Sequence, residues 1–179
     1  MTIALSSIAA KAYVSSLRLG VTPVSQEKTN WCWAASALMI GNNLSYSNYS
    51  QSDIVKYIKG SADVNKYGSV LELANAIEYV TDNKYNALSR YPFTLTFEQF
   101  QHTISNWKPV ASLVQGNGTG HFYVVYGYNA DTNSLYIIDP SGGKKLTVDY
   151  YDFHYGDLEN GWKDSRTHTG DVVIKGWCD

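Results

Sequence analysis

Between Trp31 and Trp107 the apolar residues recur at helical spacing, whereas beyond Pro109 they fall into short extended runs divided by turn residues. The first helix is expected over residues 32–40, with Thr29 and Asn30 as N-cap candidates and Gly41-Asn42 as its stop. Ser50 followed by Asp53 reads as a capping box for a short helix through Ile54, Val55 and Ile58, closed by Gly60. Ser69 opens a third helix, in which Val70, Leu73, Ala74, Ile77 and Val80 share one face, and Thr81-Asp82-Asn83 ends it. Thr96 and Gln99 repeat the capping signature for a fourth, with an expected apolar face of Phe97, Phe100, Ile104 and Trp107.

The second half alternates strands and turns. Strands are expected over residues 110–115, 121–128, 135–138 and 145–150, separated by a Gly-rich turn at 116–120 and by turns at 129–133 and 140–143. This is the pattern of an antiparallel meander. A Tyr/Phe-rich bridge and loose polar sequence at 157–170 precede a last strand over 171–177. The fold class is therefore α+β, a helical N-terminal half packed on a C-terminal antiparallel sheet, with a cleft where the two meet.

No internal repeat or long linker divides the chain, so residues 21–179 read as one domain; at this length a domain buries roughly 70% of the surface its unfolded chain exposes. Residues 1–20 resemble an imperfect export signal, without a charged start and with an apolar segment too short and Ser-interrupted. A leader, a removable pro-segment, a flexible N-terminus and an edge strand all fit them.

Charge and composition narrow the function. A net charge of -2 with 17% charged residues offers no general electrostatic grip on nucleic acid or an anionic membrane. No run approaches the roughly 18 apolar residues that span a bilayer. The 15 Tyr and 5 Trp fit a Tyr-rich sheet better than a polymer-gripping surface. Two cysteines allow one disulfide, Cys32 to Cys178, but not a disulfide scaffold, and Cys178 reads as a bystander. His102, His121, His154 and His168 lack partners at ligand spacing, so neither metal nor cofactor is expected.

Against this background Cys32 stands out, because it falls where a helix is about to begin. There the free backbone N–H groups and the positive end of the helix dipole favour a thiolate over a thiol. A cysteine between two tryptophans also fits a buried small hydrophobe, so its partners decide. His121 opens the strand after the Gly-rich turn, and Asp139 ends the next strand, which a hairpin brings alongside. The carboxylate can then accept an imidazole N–H and steady the charge formed when the cysteine loses its proton. Gln26 can supply a carboxamide N–H that forms an oxyanion hole with the backbone N–H of Cys32. Asn129 is a weaker orienter than Asp139; Asp131 and Asp149 fall in a hairpin turn and a later strand. His102, in a helix without a partner, and His154 and His168, in irregular sequence, read as non-catalytic, and Trp31 and Trp33 as packing.

The segments Gln26 … Trp31-Cys32-Trp33-Ala34-Ala35, Ser50-Gln51-Ser52-Asp53-Ile54-Val55, Gly120-His121-Phe122-Tyr123-Val124-Val125-Tyr126-Gly127-Tyr128 and Leu135-Tyr136-Ile137-Ile138-Asp139-Pro140 resemble bacterial papain-like cysteine proteases. The likeness is to the avirulence-effector branch, with the bacteriocin-leader peptidases as relatives, and covers roughly residues 21–177. It implies a papain-like fold with Cys32 as nucleophile, His121 as base, Asp139 as orienter in a place where plant papains carry Asn, and Gln26 in the oxyanion hole. It also implies a monomeric enzyme acting on protein or peptide without a cofactor, secreted, with a host cell as one destination. Acyl transfer on the same residues and a catalytically inactive binding module are the competing readings.

Overall fold

Local capping and apolar periodicity account for the first half of the structure, a computed structural model that describes residues 13–156 and 164–175. The strand β1 (Ser16–Arg18) leads through an extended segment to the helix α1 (Cys32–Leu44), followed by α2 (Gln51–Lys59) and α3 (Val70–Val80). Helix α1 is buried on all sides from Cys32 through Gly41, as expected of a helix at the centre of a fold. It runs past the Gly41-Asn42 stop because Gly41 is a packing residue. A Cβ there would overlap the Val80 side chain of α3. Thr29 and Asn30 do not cap it: both bond to Asn65, and Trp31 holds the N-cap position without a side-chain cap bond.

Capping boxes open the next helices, Ser50 with Asp53 for α2 and Ser69 with Glu72 for α3. The strand β2 (Ala87–Ser89), absent from the expected pattern, precedes α4 (Phe97–Ser105), which Thr96 and Gln99 cap as expected. Trp107 is not on its apolar face. The helix ends at Ser105, Trp107 takes a φ of 61°, and its side chain is 69% exposed. Leu95, Phe100 and Ile104 are fully buried instead, and a side chain such as Phe100 contributes roughly 1.5–3 kcal/mol.

The strands β3 (Val110–Gly116), β4 (Thr119–Asn129), β5 (Ser134–Asp139) and β6 (Lys144–Asp149) form the expected antiparallel meander. Only Asn117 and Gly118 make the first turn, with φ of 51° and 74°, the two-residue geometry whose twist suits a hairpin; Thr119 and Gly120 already belong to β4. The Tyr/Phe-rich bridge is the helix α5 (Tyr150–Tyr155), because Asp149 accepts from the N–H groups of Tyr151 and Asp152 and turns the chain into a helix. The strand β7 (Thr167–Ile174) then returns to the other side of β3, giving the order β2-β7-β3-β4-β5-β6. On the β3 side of β4, pairing with β3 ends at Val125 and β1 takes over from Gly127 to Asn129.

The architecture is thus α+β, with α1 packed across β3 and β4. Of the readings left open for residues 1–20, an edge strand describes 16–18, and Leu19 is buried in the core. Tyr123, Tyr126, Tyr128 and Tyr136 are buried in the sheet, whereas Tyr46, Tyr57, Tyr67, Tyr91, Tyr151 and Tyr155 are exposed, so the tyrosines serve both core and surface. Among the described residues no helix is long and apolar enough to cross a membrane.

Candidate active site

Cys32 is the first residue of α1 and carries a free thiol. Trp31 and Trp33 flank it, both buried, their indole N–H groups donating to the carbonyls of Val64 (2.8 Å) and Lys66 (3.1 Å). These contacts hold the start of the helix against the loop before α3. Because no side chain caps the first turn, its N–H groups are left to face an anion at Cys32.

His121 and Asp139 meet across the β4–β5 pair, with Nε2 of the imidazole 2.7 Å from Oδ1 of the carboxylate. Val124 lies opposite Ile138, so continuing the register places Asp139 diagonally across from His121 on the same sheet face. The carboxylate is fixed in turn. Its Oδ1 also accepts from the backbone N–H of Ser141 at 2.7 Å, so the Asp139-Pro140-Ser141 turn that ends the strand aims the side chain. With Nε2 directed at Asp139, the other ring nitrogen is left for Cys32. Burial alone pushes the imidazole pKa down, but the hydrogen bonds and charges of Asp139 and Cys32 outweigh it and raise the value to about 9.

Gln26 departs from expectation. Its Nε2 lies 2.9 Å from the Lys28 carbonyl and 2.7 Å from that of Thr29, while its Oε1 is buried without a hydrogen-bond partner. The carboxamide braces the turn leading into Cys32, and acting on an oxyanion requires one of these bonds to be exchanged for the substrate oxygen.

Tyr123, Asp164 and Arg166 complete the surroundings of His121, and none stood out in the sequence. The Tyr123 hydroxyl donates to Asp164 Oδ2 (2.9 Å), and Arg166 grips the same carboxylate through Nε (2.7 Å) and Nη2 (2.6 Å). Burial pushes the Asp164 carboxyl upward, yet these bonds hold it below its ordinary value; the Arg166 guanidinium is raised first by Asp164 and in part by Cys32. The available signals were the period-two spacing of His121 and Tyr123 and the Asp-Ser-Arg triplet. Beside Cys32 opens a cavity of about 760 Å³, walled by residues 67–71 on one side and by the β3–β4 hairpin on the other, with no charged side chain lining it among the described residues.

The other histidines lie elsewhere. His102 is not without a partner: its Nδ1 lies 2.9 Å from the Tyr13 hydroxyl. His154 sits in α5, and His168 in β7 rather than in irregular sequence. His168 Nε2 is 2.9 Å from Asp171 Oδ1, to which Ser112 also donates at 2.5 Å. This second Ser–His–Asp group is fully buried, and its serine faces the carboxylate rather than the imidazole, so it has neither substrate access nor a nucleophile–base contact. Asn129 Oδ1 accepts from Asp131 N in a turn far along β4, away from His121. Among the described residues no group of three or more His, Cys, Asp or Glu is placed to hold a metal ion. Cys178 lies outside the described residues.

A cysteine at the start of a buried central helix, with a histidine and an aspartate on adjoining strands of an antiparallel sheet and a cleft alongside, defines a papain-like cysteine peptidase fold. The chain belongs to the family described as papain-like cysteine protease AvrRpt2, which matches residues 16–155. Among solved structures, it resembles the peptidase domain of Streptococcus ComA, a bi-functional ABC transporter involved in a quorum sensing pathway, with a TM-score of 0.60 at 18% identity over 86% of this chain and 97% of that one. The peptidase domain of Streptococcus mutans ComA gives a TM-score of 0.51 at 16% identity over 86% and 98%. At such identities the likeness is one of fold. Comparison with curated proteins gives no match.

Proposed function

We propose that the protein is a thiol endopeptidase in which Cys32 is the nucleophile, His121 the proton carrier and Asp139 the residue that orients it. The observation that carries this reading is the His121 imidazole, bonded at Nε2 to Asp139 and paired through its charge with Cys32 at the helix start. In the reaction, Cys32 Sγ attacks the scissile carbonyl while the π pair moves to oxygen. The Cys32 backbone N–H and a reoriented Gln26 hold that oxyanion. Its collapse breaks the C–N bond, His121 gives its proton to the leaving amine, and the thioester remains. Water then donates a proton to His121, adds to the thioester and releases the acid and the thiolate.

The substrate is a protein or peptide, and the Tyr67, Leu71, Tyr91, Leu113 and Phe122 side chains lining the cavity next to Cys32 favour an uncharged side chain beside the scissile bond. One chain supplies every reacting group, so a monomer suffices, and no cofactor takes part. The site of action is outside the producing cell, as the resemblance to the avirulence-effector branch implies; fractionation of a culture tests it by locating the protein in medium or cells.

Cleavage of a peptide library by the wild type, Cys32→Ala and His121→Ala tests the chemistry. Both variants are expected to remain folded and to lose turnover. Full activity in Cys32→Ala would overturn the mechanism, and a ligated product formed from an added amine faster than hydrolysis would establish acyl transfer in place of hydrolysis.

A further inference from the structure

Gln51 is a buried polar side chain in a place that helix chemistry does not demand. It is the first residue of α2, where the Ser50–Asp53 capping box already satisfies the helix start, yet it is only 1% exposed. Its carboxamide turns away from the helix and onto the extended segment that carries Gln26. Nε2 donates to the Ser25 carbonyl at 2.7 Å, and Oε1 accepts from the Glu27 N–H at 3.1 Å. These are the residues on either side of Gln26, so one side chain does what a neighbouring strand would do, exchanging a donor and an acceptor with the backbone. A third bond, from Gln26 N to the Pro140 carbonyl at 2.8 Å, ties the same residue to the turn that aims Asp139.

We propose that Gln51 is a positioning residue for the oxyanion site, holding the backbone of residues 25–27 so that the Gln26 carboxamide remains at the turn into Cys32 while its N–H bonds pass from loop carbonyls to the substrate oxygen. This rests on the reading of Gln26 as an oxyanion donor. A carboxamide that must exchange partners during turnover needs a backbone that does not move with it, and buried two-point bonding to a capped helix supplies that. The capping box matters for the same reason. It fixes the first turn of α2, and hence the origin of the Gln51 side chain.

The test separates steps that need an oxyanion hole from one that does not. A peptide aldehyde adds to Cys32: the S–C bond forms, the carbonyl π pair moves to oxygen, and that oxygen occupies the oxyanion position. Iodoacetamide alkylates the same sulfur by displacing iodide and develops no oxyanion. Gln51→Met keeps the length without polar atoms, and Gln51→Glu keeps the acceptor for Glu27 N–H, loses the donor to Ser25, and places a charge that favours the helix N-terminus.

With both variants shown to be folded by circular dichroism, kcat is expected to fall about 10- to 100-fold with KM within about twofold of wild type. Aldehyde affinity should drop about tenfold or more, while the alkylation rate stays within about twofold. Wild-type kcat and aldehyde affinity in both folded variants would overturn the proposal. So would equal losses in alkylation and turnover, which would assign Gln51 to the thiol rather than the oxyanion. Gln26→Ala is assayed in parallel: wild-type kcat there would overturn the oxyanion reading itself and the proposal with it, an outcome distinct from failure at Gln51 alone.

Discussion

The Tyr123 ring stands edge-on to the His121 imidazole, with centroids 4.8 Å apart and planes at 83°, two residues along the same face of β4. Its hydroxyl is anchored by Asp164, itself held by Arg166, so the wall beside the imidazole is fixed by the segment that leads into β7. Tyr123→Phe keeps the ring and is expected to lower kcat/KM by no more than about threefold. Tyr123→Ala removes the wall, and at about a 1 Å freedom of the base kcat should fall about 10- to 100-fold. Initial-rate kinetics decide. Equal losses in the two variants would mean that the hydrogen bond, not the ring, is what His121 needs.

The pH dependence follows from His121. Burial opposes its charge, but Asp139 and Cys32 raise its pKa from 6.5 to about 9, so the folded protein binds this proton more tightly than the unfolded chain. The resulting stability is complete below pH 6.5 and is lost as pH rises toward about 9. Urea unfolding across that window should show wild-type stability declining more than that of His121→Ala. Catalysis shares the limit, since the leaving amine takes its proton from the imidazolium: kcat/KM should fall on an alkaline limb near pH 9, and Asp139→Asn should move that limb downward. A limb that ignores Asp139→Asn would assign it to another group.

What the sequence made legible was local. The Ser50–Asp53 and Thr96–Gln99 boxes act within one turn, and the His121–Asp139 pair could be expected because a hairpin dictates which strand ends meet. Gln51, Asp164 and Arg166 were hidden for the opposite reason. Gln51 acts on a segment 26 positions before it in the chain, and Asp164 bonds to Tyr123 from 41 positions away. Gly41 misled in a different way, since glycine serves both as a helix stop and as a site of close approach, and only the presence of Val80 distinguishes the two. Likewise Asp149 became an N-cap only once β6 had delivered it to the end of the sheet, turning the Tyr/Phe-rich bridge into α5.

The Gly41–Val80 contact gives a packing test. Gly41→Ala is expected to destabilise the fold by about 1–3 kcal/mol, because α1 and α3 must separate to admit a methyl group. Val80→Ala alone leaves a cavity and also destabilises. In the double variant the new methyl group occupies part of the space vacated, so the combined loss in urea unfolding should be less than the sum of the two. Strict additivity would show that the helices do not meet there.

The two Asp–His pairs of this fold offer a contrast between kinetics and stability. Asp139 and His121 keep side-chain exposures of 19% and 13% at the mouth of the site, whereas Asp171 and His168 are wholly enclosed. Asp171 also accepts from Leu95 N at 2.7 Å and from Ser112, tying the segment before α4 to β3 and β7. Asp171→Ala leaves these donors buried without an acceptor and is expected to cost about 3–5 kcal/mol, while the alkylation rate of Cys32 in the remaining folded protein stays at the wild-type value. Asp139→Ala should behave in reverse, with turnover reduced by about 10²–10⁴-fold and a loss of stability near neutral pH smaller than that of Asp171→Ala. Urea unfolding and peptidase assays on the two variants separate the roles, and a large loss of turnover in Asp171→Ala with its fold intact would place the buried pair in the chemistry after all.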